Sequence, residues 1–161
     1  SSGNEISLFA GVRKLSDAKS GMVCELSTSA ETSLKAFAML APAANGSYHY
    51  NFRSFGTTGT GAGTAIVTQY PAPHSAVLTA KGKISSSLCS LTINRATTAS
   101  DNSSQGTANY GNYPIYIGMR AGTSLAFNGH IYSLIGIARL ATATEITNTE
   151  NAIAKNVGVT L

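Results

Sequence analysis

At 161 residues, 43% of them hydrophobic, the chain is long enough for one domain with a real core and too apolar for a disordered segment. Charged residues are only 11%, against roughly 25% in ordinary soluble domains, and the formal charge of +4 is scattered, with only Arg13-Lys14 and Lys81-x-Lys83 close together. This excludes a concentrated basic stripe for nucleic acid, and no apolar run approaches the roughly 18 residues of a membrane span, so neither nucleic acid nor membrane insertion is expected.

Ser, Thr, Asn and Gly fill the gap that the missing charges leave. They predict a neutral surface of hydroxyls and amides, suited to polar uncharged partners or to packing against copies of the chain. The start, SSGNEISL, lacks the basic residues and apolar block of a signal peptide.

Period-two alternation dominates up to about position 138 and predicts strands. Ile6, Leu8, Ala10 and Val12 share one face of the first, which ends in the turn-like SDAKSG. GMVCELS predicts a second, with Met22, Cys24 and Leu26 on one face, and SLKAFAML a third that stops at Pro42. GSYHYNFRSF follows, with Tyr48, Tyr50 and Phe52 on one side and His49, Asn51 and Arg53 on the other.

GTTGTGAGT is then a glycine-threonine loop. Its Gly59-x-Gly61 spacing is not a phosphate cradle, because that motif needs a following helix and TAIVTQY is another strand. Strands also fit AVLTAKGKI and SSLCSLTINR, the latter with Cys89, Leu91 and Ile93 on one face. ATTASDNSSQGTANYGN is a long polar connection to two last strands, YPIYIGMR and FNGHIYSLIGIA. Burial should explain the apolar character of these two, with Ile115, Ile117 and Met119 on one face and Ile131, Ser133, Ile135 and Ile137 on another.

One helix closes the chain. Thr142 and Glu145 have capping-box spacing, Ile146, Thr149, Ile153 and Val157 follow at helical spacing, and Gly158 suits a left-handed stop. About nine short strands and one short helix predict an all-β, antiparallel two-sheet sandwich in a single domain. Cys24 and Cys89 are expected to be buried small hydrophobes, not a bridge.

The acids are Glu5, Asp17, Glu25, Glu31, Asp101, Glu145 and Glu150. Nothing like the E-x-D-x-E of sandwich-fold glucanases is present, so the paired carboxylates of glycoside hydrolysis are not expected and the chain reads as no enzyme. Capping and solvation should account for Glu145 and Glu150. His49, His74 and His130 lack metal-type spacing, and His74 in PAPHS suggests an exposed turn. No cofactor is expected; calcium at Asp101 and Asn102 is the one metal alternative, against a solvated turn.

Sugar binding asks for less: amides and guanidinium groups for the hydroxyls and a ring for the C–H face. The candidates are Tyr48, His49, Asn51 and Arg53; Asn109, Tyr110, Asn112 and Tyr113; and Arg120 and His130 on the non-core faces of their strands.

The closing stretch adds a resemblance. Tyr116-Ile-Gly118, Arg120, Gly122, Phe127-Asn-Gly129, Ile131-Tyr132, Leu134-Ile135, the Thr142 cap and Gly158-Val159 are similar to the end of the concanavalin A-like, laminin G-type jelly-roll domains that terminate bacteriophage and prophage tail proteins. LFAGVRKLSDA, YNFRSFGTT and QGTANYGNYP look similar to the same domains. Two positions depart. His130 stands where the family commonly has Arg or Lys, and LTINRAT replaces its Asn-Gly hairpin, which predicts a different turn after Asn94.

The resemblance implies that residues 1–161 form one lectin-like jelly roll, the C-terminal part of a longer tail fibre or tailspike. It implies a non-catalytic module that recognises bacterial surface glycan (lipopolysaccharide or capsule), with a structural, trimerising domain as the alternative. A homotrimer in the virion, made in the host cytoplasm, is the expected setting.

Overall fold

The alternating strands pair into two antiparallel five-stranded sheets. In chain order they are β1 (Glu5–Lys14), β2 (Met22–Leu26), β3 (Phe37–Leu40), β4 (Tyr50–Ser54), β5 (Thr64–Val67), β6 (His74–Lys83), β7 (Leu88–Ile93), β8 (Thr97–Asp101), β9 (Ile115–Ile117) and β10 (Gly129–Ile137), followed by helix α1 (Ala143–Val157). Sheet one runs β10-β1-β6-β7-β8 and sheet two β5-β4-β3-β2-β9. The computed structural model describes residues 3–29, 34–58, 63–67 and 69–161; Glu31 and the Gly59-x-Gly61 spacing lie outside them.

The core lies between the sheets. Ile6, Leu8, Ala10 and Val12 of β1 and Leu78 of β6 face Phe37, Met39, Tyr50 and Phe52 of sheet two. Cys24 and Cys89 are both buried there as free thiols. The all-β sandwich with one C-terminal helix is therefore what the periodicity predicted.

Helix α1 adds a layer on the outer face of sheet one, where Ile153, Ala154 and Val157 pack on Phe9 and Val77. It begins as its spacing predicts, with both halves of the Thr142–Glu145 capping box formed, and stops at Gly158 with φ 75°. Glu150 is not solvated. It is 3% exposed, accepts from Thr79 Oγ1 at 2.5 Å and pairs with Arg95 Nε at 2.5 Å. Helix and sheet approach closely at Gly11, where a Cβ would lie 2.6 Å from methyls of Ile153 and Val157.

Local details depart from the predicted pattern. The register between β2 and β3 shifts between Met22 and Cys24, so Val23 joins Cys24 in the core while Met22 turns outward onto Ala38 and Leu40. A second shift, opposite Gly11 and Val12, displaces Tyr132. Ile131 and Leu134 then pack on the core, and Ser133, Ile135 and Ile137 share the helix side.

Residues 97–101, read as connection, form edge strand β8, where Ala99 packs on the core and Thr97, Thr98 and Ser100 are exposed. A polar edge strand has one wet face, so hydrophobicity marks it weakly. The turn before it changes residue, not conformation. Asn94 and Arg95 have φ 49° and 55°, the left-handed pair an Asn-Gly hairpin supplies.

The largest departure concerns β9 and β10. Each is the edge of its sheet, and both edges lie on one side of the sandwich. Ile115 and Ile117 pair with Leu26 and Cys24 and so point toward the interior, yet each is 59% exposed. The seam stays open as a groove of about 250 Å³ over Ile6, Leu8, Leu26 and Phe37. Apolar character at β9 therefore does not mean burial.

Gly11→Ala is expected to lower unfolding free energy by about 1–3 kcal/mol through overpacking against α1. Urea unfolding measures it, and an unchanged midpoint would show that the helix is not seated on β1.

Candidate functional site

The candidate ligand residues fall in separate places. Antiparallel pairing puts the connections after β1, β3, β5 and β9 on one rim and those after β2, β4 and β8 on the other. Tyr48, 52% exposed, and His49, half-buried, lie on the first rim just before β4. Asn109, Tyr110, Asn112 and Tyr113 lie on the second. There Asn109 and Asn112 are exposed, Tyr113 packs partly on the core, and Tyr110 is in the core.

The Tyr110 hydroxyl meets Ser54 Oγ at 2.6 Å and its ring stands edge-on to Phe37. Burial pushes that phenol up. It is a core residue, not a ring offered to sugar.

Asn51 and Arg53 do lie on the outer face of sheet two, but Asn51 is 1% exposed. Its amide donates to Ala65 O and accepts from Arg53 Nε at 2.8 Å. Arg120 Nε reaches both oxygens of the buried Glu25 at 3.2 Å. His130 is exposed opposite Arg13, with its ring centroid 6.0 Å from that of Tyr132. Alternation assigns a face to each side chain; it does not say which end of the sandwich a loop occupies.

What organises the first rim is a residue the sequence reading passed over. Lys14 continues the inward series of β1 and is fully buried. Its ammonium lies 2.6 Å from Asp17 Oδ1, donates to Tyr70 O at 2.6 Å and Tyr48 O at 3.3 Å, and stands 4.8 Å from the Tyr50 ring centroid. Asp17 Oδ2 in turn accepts from Ala72 N. Tyr50 OH meets His74 Nδ1 at 2.8 Å, and the His74 ring lies 4.7 Å from that of Tyr70. His74 thus begins β6 half-buried, not in an exposed turn. The only signal was a lysine at an inward position, and a buried ammonium needs such partners.

Beside this network, in the same loop as Asp17, opens a cleft of about 670 Å³ lined by Lys19, Ser20, Asn45, Leu125, Phe127 and Asn128. Its walls are tied together. Ser20 N donates to Asn45 Oδ1 at 2.8 Å, Met22 N to Leu125 O at 2.8 Å, and Leu15 N to Asn128 O at 2.9 Å. At Gly21 a Cβ would lie 2.9 Å from Ala41 O and 3.0 Å from Phe127 Cα, so only glycine lets the loops close. An ammonium, a hydroxyl, two amides and an aromatic ring converge. That set can hydrogen-bond a polyol and stack on its C–H face. None of the candidate ligand residues lines it; Phe127-Asn-Gly129 was marked by the resemblance alone.

Every described carboxylate is committed elsewhere: Glu5 to Lys83, Asp17 to Lys14, Glu25 to Arg120, Glu150 to Arg95. Glu145 is held at about 2, chiefly by Arg139 and then by the Thr142 amide. Asp101 caps its own turn, accepting from Ser103 N at 2.7 Å, and those bonds lower its pKa. Among the described residues no three His, Cys, Asp or Glu side chains converge to hold a metal. Burial, then Glu25, pushes the Cys24 thiol up to about 12, and burial raises Cys89 as well.

The fold is similar to two solved laminin structures. Mouse laminin alpha1 chain, domains LG4-5, matches with a TM-score of 0.60 and 17% identity over 88% of this chain and 39% of that one. The LG1-3 region of the laminin alpha2 chain matches with a TM-score of 0.52 and 15% identity over 85% of this chain and 27% of that one. The chain therefore spans well under half of either structure, and at these identities the likeness shows a laminin G-type jelly-roll fold and nothing finer. No sequence-family model and no curated protein matches.

Burial, then the Lys14 ammonium, holds His74 below the ordinary histidine range, with Asp17 opposing. The folded chain thus resists protonating a group that the unfolded chain protonates near pH 6.5. Stability should be level above that pH and fall as the pH drops below about 6.5. Melting temperature between pH 8 and 5 checks this, with His74→Gln expected to flatten the acid slope.

Proposed function

We propose that the chain is a non-catalytic module that binds bacterial surface polysaccharide, lipopolysaccharide or capsule, from the end of a bacteriophage tail fibre or tailspike in the virion, after synthesis in the host cytoplasm. The observation that carries the reading is the rim cleft. It offers Asn45, Asn128 and Ser20 to sugar hydroxyls and the Phe127 ring to a sugar face, and no carboxylate lines it. Exposed Tyr48 lies in the same loop as Asn45. With the described acids occupied in ion pairs and caps, the cleft is equipped to hold a glycan rather than cleave it. The similarity of the closing sequence to tail-protein domains supplies the setting.

A second reading, self-association into a homotrimer, is favoured by the open seam, where Ile115 and Ile117 are each 59% exposed on a strand at the edge of its sheet. Edges of this kind are ordinarily covered or charged.

Phe127→Leu keeps an apolar side chain against the core but removes the ring, and Asn128→Ala removes an exposed amide. Each is expected to weaken binding to purified host polysaccharide about tenfold, a loss of about 1.4 kcal/mol. Unchanged retention of both variants on immobilised polysaccharide would exclude the cleft. Light scattering at three times the 16.5 kDa chain mass, returned to one by Ile115→Asp, is the result expected of the second reading.

A further inference from the structure

Asparagine followed by glycine occurs twice in the chain, at Asn45-Gly46 and Asn128-Gly129, and both asparagines line the rim cleft. In this dipeptide the glycine nitrogen can attack the amide carbon of the preceding side chain, because no side chain of its own blocks the approach. The fold treats the two sites differently.

Asn45-Gly46 is tied at both reacting ends. Asn45 Oδ1 accepts from Ser20 N at 2.8 Å, and Gly46 N donates to Asp17 O at 2.7 Å. Asp17 is itself anchored by the buried Lys14 ammonium. Neither the electrophile nor the nucleophile is at liberty to turn toward the other.

Asn128-Gly129 is open at both ends. Asn128 is exposed, and its side chain bonds no described residue. Leu15 N donates to Asn128 O, and Gly129 stands opposite Lys14. That phase makes Lys14–Gly129 a pair that exchanges no ladder bonds, so the Gly129 N–H turns away from β1 toward the free edge of β10. Glycine is also required there, since a Cβ would run into Arg13 O and the Phe127 ring. The bond from Leu15 restrains the Asn128 backbone at the end of its ladder, where opening costs least.

We propose that Asn128 is a self-modification site, at which the folded chain converts a cleft amide to a carboxylate while Asn45 is spared. Gly129 N gives up its proton and bonds to Asn128 Cγ, the Cγ–Nδ2 bond breaks, and Nδ2 takes up a proton and leaves as ammonia. Water then opens the succinimide at either of its ring C–N bonds to Gly129 N. The product is aspartate or, with the main chain lengthened by a methylene, isoaspartate. Water is the sole co-reactant. Conversion sets a negative charge beside Phe127 in a cleft that no carboxylate lines. It thereby withdraws the cleft from its glycan, a consequence that rests on the rim reading proposed above.

The test is to age the intact chain in mildly alkaline buffer made with oxygen-18 water, digest it, and map the products by mass. Asn128 should gain heavy oxygen and isoaspartate at least about tenfold faster than Asn45, the order expected when two hydrogen bonds must break first. In urea, where the fold no longer separates them, the two sites should convert at similar rates. An unconverted Asn128, an Asn45 that keeps pace in the folded chain, or a difference that persists in urea overturns the proposal. Retention of the aged chain on immobilised host polysaccharide reads the consequence and should fall in step with conversion. Retention of the converted chain where Phe127→Leu is lost overturns that consequence. Retention of both overturns the rim reading and leaves the modification site standing, so the two fail separately.

Discussion

The ammonium of Lys14, shut away from water at the end of β1, is the contact on which the architecture of the first rim depends. A charge in that position is tolerable only if the chain surrounds it with acceptors, and the acceptors come from three different connections: Asp17 after β1, the Tyr48 carbonyl before β4, and the Tyr70 carbonyl before β6. Taking one partner away from such a pair strands a buried charge, an effect of about 3–5 kcal/mol. The loops are therefore held in mutual register by electrostatics and not by sheet pairing. The cleft that opens between Ser20, Asn45 and Phe127 inherits that rigidity.

The opposite face of sheet one shows the same economy of polar groups. Helix α1 is positioned by apolar contacts to Phe9 and Val77, but its orientation is also fixed by Glu150, which Thr79 approaches from β6 and Arg95 from the β7–β8 turn. Arg95 occupies a backbone conformation that normally suits glycine or asparagine. Its side chain bridges the β7–β8 hairpin to the helix, which gives a reason for arginine where a plain turn would use glycine.

Much of the framework was legible because alternation is a direct consequence of one buried face. Ile6, Leu8, Ala10 and Val12, or Cys89, Leu91 and Ile93, can be read straight into the core. The Thr142–Glu145 pair likewise announced the helix start through its own chemistry. Three kinds of feature were not legible. One inserted residue at Val23 or Tyr132 reverses a face without altering composition. Edge position cannot be read from side-chain type, so Ile115 and Ile117 looked buried while Thr97–Asp101 looked like loop. The candidate site suffered most: Tyr110 belongs to the core, and the members of the rim cleft come from distant loops that only the folded chain assembles.

The placement of sulfur has a practical consequence. Both thiols lie in the interlayer, at 1% and 0% exposure, and burial keeps them in their inert protonated form. Thiol-directed dyes and crosslinkers thus find no native target on the folded molecule. A cysteine introduced on either rim would be modified by itself, so a fluorophore or spin label can be set at a chosen spot without first stripping the wild-type sulfhydryls out.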